Sequence, residues 1–344
     1  MARFLRRTAI LLLLSVGACS SDSSDTPVKS SEKAQPVAGI FLYNAQDVYL
    51  GEVLKKLEAG LSGRFKVIVE DGKGDQLAQS DQLSSLLAQG VDVIIFNPVE
   101  PQVASSVVGM AKKYDVPIIF FNREPNLDVM KEYSKAAFVG TLVSDAGCLQ
   151  GEIIHELWLK HPEFDRDGDG KLQFIMFQGE PDNPEAMART EYSVKFARKL
   201  GVPLEQVGHQ LCGWERKVAF QAMQLSLAVG VPEIELVIAN NDAMALGAID
   251  ALQQKGYNLE GGSRENFIPV VGVDAVPEAI EAIRKGVMSA TVKQDSDEMA
   301  RAIIALAINA GKGRNFLEGT QYSWDSSGVA VRIPYSKFKP DVEQ

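Results

Sequence analysis

From residue 37 onward, the chain alternates short apolar runs with longer amphipathic segments. The apolar runs are AGIFLY, FKVIVE, VDVIIF, VPIIFF, AAFVGT, LQFIMF, IELVIA, IPVVGV and SATV. The segments between them, such as GEVLKKLEAGL and EAMARTEYSVKFARKLG, place apolar residues three and four positions apart, which is the spacing of one helix face. Apolar strands separated by helices predict parallel sheets that are covered by helices on both faces.

The number of strand and helix units predicts two such sheets. About five units fall in each half of the chain, which is more than one sheet comfortably holds and suits two domains of ordinary size. The predicted fold class is therefore α/β, with two doubly wound parallel-sheet domains.

Polar or aromatic residues stand just after most of the apolar runs. The carboxyl ends of the strands form the ligand crevice of an open parallel sheet, so two crevices that face each other would form a cleft. The residues at these positions are Asp47, Tyr49, Asn97, Asn122, Asn183, Glu185, Arg189, Trp214, Asn241, Asp274 and Gln294.

Each Asn or Asp of this set also has a simpler interpretation as a helix N-cap. For any one of them the two interpretations carry similar weight. Helix capping does not, however, call for Trp214, Tyr49 or Arg189 at equivalent strand ends. The set as a whole therefore favours a binding cleft.

The segment FDRDGDGKLQ at 164–173 contains the first nine positions of an EF-hand-like calcium loop. Alternating carboxylates at Asp165, Asp167 and Asp169 can reach one cation, and the sixth-position glycine allows the sharp turn. The twelfth position, which supplies a bidentate glutamate in an EF-hand, is Met176. The loop therefore lacks one ligand, and a solvated acidic loop is the alternative interpretation.

The N-terminus has the features of a bacterial export signal. In MARFLRRTAILLLLSVGACSS, arginines precede an apolar stretch that is too short to span a bilayer comfortably, and small residues precede Cys19. The SVGAC ending resembles a lipobox, in which the cysteine is lipidated after cleavage, whereas an ordinary cleaved signal is the alternative. The polar segment SSDSSDTPVKSSEKAQP that follows predicts a flexible tether.

Composition excludes several classes of function. The net charge of -10 and the pI near 5.0 argue against nucleic-acid binding, since no basic stripe is available for phosphates. The three histidines form no HExxH motif and no paired CxxC occurs, so a catalytic zinc site is not expected. Besides Cys19, the chain has Cys148 and Cys212, either as one disulfide or as two buried thiols.

Eight segments resemble the periplasmic glucose/galactose-binding proteins, which are ABC-transporter substrate-binding proteins of the ribose/galactose type. They are IIFNPVEP, VPIIFFNREP, FVGTLVSDAG, DRDGDGKLQ, QGEPDNPEAMART, IELVIANNDAMALGAIDAL, VVGVDAVPEA and RIPY. The resemblance implies a non-enzymatic protein that binds glucose or galactose by closing two lobes around it and delivers the sugar to an ABC permease. Presentation of the ligand to a chemoreceptor or kinase, or binding of another pentose or hexose, are alternatives.

The resemblance also implies a structural Ca²⁺ ion. In these proteins a distant glutamate replaces the missing twelfth ligand, and the matching position is Glu235, in EIELVIANND. With this glutamate bidentate, the implied set has a coordination number in the usual range for calcium. The implied ligands are Asp165, Asp167, Asp169, the Lys171 carbonyl, Gln173 and Glu235.

The sugar contacts that the resemblance implies are Asp47, Tyr49, Asn97, Asn183, Glu185, Arg189, Trp214, Asn241, Asp274 and Gln294. Forked polar side chains suit vicinal hydroxyls, and Tyr49 and Trp214 would cover the apolar faces of a pyranose ring. Asn183, Glu185 and Gln294 stand where the family usually has histidine, aspartate and asparagine, and Tyr49 replaces a phenylalanine. These departures affect which sugar the site prefers more than whether it binds a sugar. We expect the protein to distinguish glucose from galactose and to favour glucose.

The predicted organisation combines an anchored tether with two lobes that are joined by crossings near Pro117, Gln294 and Ile333. In chain order the segments are the signal peptide (1–18), the tether (19–36), the first lobe (37–116 and 295–332) and the second lobe (117–294 and 333–344). We expect a monomer in the periplasm or on the cell surface that touches the membrane only through its lipid anchor.

Two other classes of protein fit less well. A sugar-responsive repressor would need an N-terminal helix-turn-helix, where this chain has an export signal. A glycosidase would need an acid and base pair, for which Glu185 with Asp274 or Asp47 could be proposed. No sequence pattern favours hydrolysis over recognition.

The lipidation hypothesis can be tested at one residue. Replacing Cys19 by alanine should move the protein from the membrane fraction to the soluble exported fraction, because the acyl chains that hold it would be absent. Membrane fractionation followed by immunoblotting measures this. Unchanged partitioning of the Cys19→Ala variant would count against a lipoprotein.

Overall fold

The computed structural model describes residues 35–228 and 234–338, so the predicted signal peptide, Cys19 and nearly all of the tether lie outside the described residues. Within the described ranges, the strands are β1 (Val37–Leu42), β2 (Lys66–Asp71), β3 (Val93–Phe96), β4 (Ile118–Phe121), β5 (Ala136–Gly140), β6 (Leu172–Gln178), β7 (Leu204–Leu211), β8 (Leu236–Ala239), β9 (Val270–Asp274), β10 (Ala290–Gln294), β11 (Ala330–Arg332) and β12 (Tyr335–Lys337).

Helices follow most of these strands. They are α1 (Val48–Leu61), α2 (Gln76–Gln89), α3 (Ala104–Lys113), α4 (Leu127–Lys131), α5 (Val143–Lys160), α6 (Pro184–Lys199), α7 (Arg216–Ala228), α8 (Asp242–Gln254), α9 (Pro277–Arg284) and α10 (Ser296–Gly311). No described helix is long and apolar enough to cross a membrane.

The strands form two six-stranded sheets, in the orders β11-β5-β4-β3-β1-β2 and β12-β10-β9-β8-β6-β7. Neighbouring strands pair in parallel, except that β12 runs antiparallel to β10. Each order reverses beside an inner strand, β1 in the first sheet and β6 in the second, as in doubly wound folds. The α/β class with two parallel-sheet lobes, expected from the sequence, is confirmed.

All nine apolar runs noted in the sequence form strands, and both faces of each sheet carry a buried apolar cluster. The runs did not indicate β7, β11 and β12. Strand β7, LEQVGHQL, lies at a sheet edge and exposes most of its polar side chains, while β11 and β12 have three residues each. Such strands bury too little apolar surface to leave a hydrophobic signal.

Within residues 35–228 and 234–338, the chain passes between the two sheets three times. The first crossing follows β5 at Thr141, because β4 pairs with β3 and β5 in the first sheet. The predicted crossing near Pro117, with a first lobe that ends at residue 116, is therefore wrong. Hydrophobic pattern identifies a strand, but it does not say which strand will be its neighbour. The other two changes of sheet occur after Gln294 and at Ile333.

Cys148 and Cys212 are free thiols in this structure. Cys148 lies in α5, whereas Cys212 follows β7 and is buried. The structure therefore has the unpaired alternative, but only Cys212 is a buried thiol, since Cys148 is partly exposed.

Helices α5 and α6 approach closely because α5 presents glycines to its neighbour. A Cβ atom on Gly151 would lie 2.8 Å from the backbone nitrogen of Ala197, and one on Gly147 would lie 2.8 Å from the Cβ of Tyr192. Distances this short cannot be relieved by moving a flexible side chain. The close contact sets the position of α6, the helix that carries Glu185 and Arg189.

Substituting Gly151 by alanine should therefore lower the free energy of unfolding by about 1–3 kcal/mol through overpacking. Gly109 in α3 provides a matched control, because outside the local backbone of α3 no described atom lies within 4 Å of its Cβ position. Gly109→Ala should leave stability unchanged or raise it by about 0.5–1 kcal/mol, as expected for a helix interior. Urea unfolding compares the variants, and equal effects of both would contradict the packing argument.

Candidate functional site

A cavity lies where the carboxyl ends of the strands in the two sheets face each other. Nine of the ten predicted sugar contacts line it. From the first lobe these are Asp47 and Tyr49, and from the second lobe they are Asn183, Glu185, Arg189, Trp214, Asn241, Asp274 and Gln294. Three more residues complete the wall, namely Tyr43, Asn122 and Arg123.

Asn97, the tenth predicted contact, does not line this cavity. It is fully buried, its amide nitrogen donates to the carbonyl of Phe121 at 3.0 Å, and its amide oxygen accepts from the backbone N–H of Tyr43 at 3.2 Å. These bonds join the ends of β1, β3 and β4. In this structure Asn97 supports the wall of the cavity instead of forming it.

Tyr43, Asn122 and Arg123 were not among the predicted contacts. Tyr43 directly follows β1, and Asn122 and Arg123 directly follow β4. The sequence contained a signal for them, since they occupy the same strand-end positions as the predicted residues. Asn122 was noted there without being included among the contacts.

Three site residues also cap helices. Asp47 accepts from the backbone N–H of Leu50 at 2.9 Å at the start of α1. Asn183 and Asn241 accept in the same way at the starts of α6 and α8. The two interpretations of these residues are therefore compatible, because capping uses one acceptor atom and fixes the side chain at the edge of the cavity.

Arg189 is the central side chain of the second lobe's half of the site. Its side chain is only 4% exposed, and Nη1 donates to the carbonyl of Asn240 at 2.7 Å. Nη2 donates to Gln294 Oε1 at 3.1 Å and to the Tyr335 hydroxyl at 2.9 Å. The carboxylates of Glu185 and Asp274 lie 3.5 and 3.7 Å from the guanidinium. This network holds both carboxylates beside the cavity.

The Asp274 carboxylate sits in an environment that disfavours its charged form. Burial raises the pKa of Asp274 well above its ordinary value, and the Arg189 guanidinium opposes that rise. In such a poorly solvated cleft, hydrogen bonds to carboxylates are stronger than they are in water.

Four buried polar atoms in the cavity wall have no hydrogen-bond partner among the residues that the structure describes. They are the Tyr49 hydroxyl, Arg189 Nε, Trp214 Nε1 and Gln294 Nε2. A buried polar group without a partner costs about 1–3 kcal/mol, and native proteins contain few of them. Four in one cavity point to a polar ligand that satisfies them.

The backbone is unusual at three wall residues. Asn122, Trp214 and Asp274 have positive φ values of 63°, 71° and 117°, a region that residues other than glycine rarely adopt. The Trp214 indole also packs on the backbone of Gly179, where an added Cβ would lie 2.4 Å from the ring. Gly179 therefore allows the indole to take its place in the wall.

The acidic loop forms a second cluster, at the amino end of β6. Carboxylate oxygens of Asp165, Asp167 and Glu235 lie within 4.8 Å of one another, although Glu235 is distant in sequence. Glu235 is fully buried and accepts from the backbone N–H groups of Arg166 and Gln173. The structure thus brings the distant glutamate to the loop.

The remaining predicted ligands of the loop are less closely gathered. The Gln173 amide nitrogen donates to Asp169 at 3.1 Å, while the Lys171 ammonium extends to Glu205 at 2.6 Å. Two buried atoms in the cluster, Asp165 Oδ1 and Gln173 Oε1, have no partner in the described part of the chain. Carboxylate and amide oxygens of this kind are the ligands that a hard cation prefers.

Comparison with known proteins places the chain in a family. The model of the periplasmic binding protein domain matches residues 38–315. The chain is 32% identical over 334 residues to the D-galactose/methyl-galactoside binding periplasmic protein MglB of Haemophilus influenzae, with 96% of each chain covered. It is 33% identical over 247 residues to a putative rhizopine-binding protein of Rhizobium meliloti, which covers 71% of this chain and 74% of that protein.

Solved structures agree with this placement. An ABC transporter solute-binding protein from Bacillus halodurans with bound myo-inositol superposes with a TM-score of 0.73 at 27% identity, covering 90% of this chain and 96% of that one. A periplasmic solute-binding protein from Actinobacillus succinogenes with bound D-allose shares the fold, with a TM-score of 0.73 at 19% identity. The match covers 89% of this chain and 98% of that one. The chain therefore belongs to the periplasmic binding proteins and is a binding protein, not an enzyme.

Proposed function

We propose that this protein is a lipid-anchored binding protein outside the cytoplasm, which captures glucose or galactose between its two lobes and delivers it to an ABC permease. The observation that carries the proposal is the group of four buried, unpartnered polar atoms in the cavity wall. Three of them are N–H donors, and their residues line the cavity together with the acceptors Asp47, Glu185 and Asp274. This mixture suits hydroxyl groups, which both donate and accept.

The aromatic residues favour a ring-shaped ligand. Tyr49 and Trp214 enter the cavity from opposite lobes, and aromatic faces pack well on the apolar faces of a pyranose. The similarity to a protein named for D-galactose supports a hexose, and the structure with myo-inositol supports a cyclic polyol more generally. Asn183, Glu185 and Gln294 replace the histidine, aspartate and asparagine that are usual in the glucose/galactose-binding proteins, and they change how far the polar contacts reach. On this basis we propose glucose as the preferred sugar.

We also propose that the acidic loop holds one Ca²⁺ ion. The residues fit, since the cluster combines three carboxylates with the Gln173 amide, and Asp165 Oδ1 and Gln173 Oε1 are buried without a partner among the described residues. Asp165, Asp167, Asp169, Gln173 and Glu235 would hold the ion with their side chains, and Lys171 with its carbonyl. The ion would supply charge compensation for a buried glutamate and so stabilise the second lobe.

The function is tested by isothermal titration against glucose, galactose, ribose and myo-inositol. Glucose should bind most tightly, because a site with fixed polar groups discriminates against ligands that leave those groups unpaired. Failure of all four compounds to bind would contradict the proposal. The same protein mixed with aryl glycosides should show no turnover.

Tyr49→Phe gives a sharper test of the site. Removing a hydroxyl that only the ligand satisfies should weaken sugar binding about 10-fold, a change of about 1.4 kcal/mol, without lowering the melting temperature of the ligand-free protein. Tyr133→Phe is the matched control, because the Tyr133 hydroxyl lies outside the cavity and donates to the carbonyl of Val116 at 3.1 Å. The Tyr133→Phe variant should be less stable than the unmodified protein and should bind sugar normally. Loss of sugar binding in Tyr133→Phe but not in Tyr49→Phe would place the ligand elsewhere.

The calcium proposal predicts that a chelator lowers the melting temperature, because an ion that binds only the native state stabilises it by mass action. Glu235→Gln should lower the melting temperature in the presence of calcium and should remove the response to chelator. Glu205→Gln is the control, since Glu205 pairs with Lys171 at the surface. Differential scanning calorimetry with calcium and with chelator measures this, and identical curves for the unmodified protein would rule the site out.

A further inference from the structure

The unpartnered atoms of the cavity wall are inaccessible from outside. The Tyr49 hydroxyl and Trp214 Nε1 have essentially no solvent-exposed surface, yet they belong to opposite lobes. A ligand can reach both only if the lobes separate and close again. A direct contact between the lobes that lies away from the crossings must therefore break and form with each binding event, and its strength must affect affinity.

Arg123 and Glu180 make such a contact at the edge of the cavity. Arg123 follows β4 in the first lobe, Glu180 follows β6 in the second, and their side chains form an ion pair at 2.9 Å. The arginine side chain is 5% exposed and the glutamate side chain 37% exposed. The pair is partly shielded from water, so it is stronger than an ion pair at an open surface.

The first lobe holds Arg123 in place independently of Glu180. Its Nη1 donates to the carbonyl of Val99 at 2.6 Å, and its guanidinium carbon lies 3.5 Å from the centroid of the Tyr43 ring. The Tyr43 hydroxyl in turn donates to Asp47 at 2.6 Å, and Asp47 caps α1. A guanidinium fixed in this way loses little conformational entropy when it meets its partner.

The second lobe holds Glu180 in a corresponding way. Its other carboxylate oxygen accepts from the Asn183 amide at 3.1 Å, and the Asn183 oxygen caps α6. A continuous chain of contacts therefore runs from Asp47 through Tyr43 and Arg123 to Glu180 and Asn183. It joins the N-termini of α1 and α6, both of which carry residues of the cavity wall.

We infer that the Arg123–Glu180 pair sets the affinity of the site by stabilising the closed arrangement of the lobes, whichever ligand occupies it. The inference rests on the proposed function. Because the pair forms only in the closed arrangement, it shifts the equilibrium of the ligand-free lobes towards closure, and it therefore contributes the same free energy to the affinity for every ligand. Losing it should raise the dissociation rate and leave the association rate nearly unchanged. Arg123 and Glu180 are thus positioning residues, distinct from the atoms that recognise hydroxyl groups.

The test uses Arg123→Met, Glu180→Gln and the double variant, titrated with glucose, galactose and myo-inositol. For every sugar that the unmodified protein binds, each single variant should lower the affinity by the same factor, about 10-fold. The double variant should lose little more than either single one, because both substitutions remove one shared contact. Stopped-flow measurements should locate the change in the dissociation rate. Glu191→Gln, which neutralises an exposed ion pair within α6, is the control and should bind normally.

The possible outcomes separate this inference from the proposed function. Unchanged affinity in both single variants overturns the inference. It is also overturned if the fold-loss of affinity differs widely among the sugars, because this would show that Arg123 contacts the ligand directly. If the unmodified protein binds none of the sugars, the proposed function fails, and small-angle X-ray scattering of the ligand-free proteins then decides the inference. Glu180→Gln, the milder variant, should increase the radius of gyration, and an unchanged radius overturns the inference.

Discussion

The buried guanidinium of Arg189 connects the cavity to the three crossings between the lobes. It bonds to Gln294, the last residue before the second crossing, and to the hydroxyl of Tyr335, which follows the third crossing. The Tyr335 hydroxyl also accepts from Thr141, which lies at the first crossing. A guanidinium removed from water is tolerated only with such a set of partners, and the loss of one partner leaves an uncompensated charge. The need to satisfy one buried charge therefore holds the crossings and the wall of the site in a single network.

Parallel strands explain why so many functional groups meet in one place. Every strand of a parallel sheet presents its carboxyl end at the same edge, and the helix that follows begins there with unsatisfied N–H groups. Asp47, Asn183 and Asn241 satisfy those groups and at the same time line the cavity. The capping requirement fixes the side chains before a ligand arrives, and this reduces the entropy that binding must overcome.

The acidic loop lies at the other end of the second sheet. The loop enters the amino end of β6, and Glu235 stands just before β8, whereas the cavity is formed at the carboxyl ends of the same strands. The two clusters share the strands of one sheet but no side chain. An ion in the loop would therefore act on the stability of the lobe, while the polar groups of the cavity would keep their arrangement.

The sequence by itself determined the nine apolar strands, the α/β class and most of the site, because continuous burial and strand-end polarity are local properties that leave a local pattern. It also indicated the acidic loop, since Asp165, Asp167 and Asp169 are neighbours in the chain. Tertiary structure alone decided that β4 and β5 belong to the first lobe, which moves the first crossing from Pro117 to Thr141. It also decided that Asn97 turns away from the cavity while Arg123 reaches across to Glu180. Strand order and contacts between lobes depend on residues far apart in the chain, and no local pattern of apolar and polar positions encodes which distant partner a residue will meet.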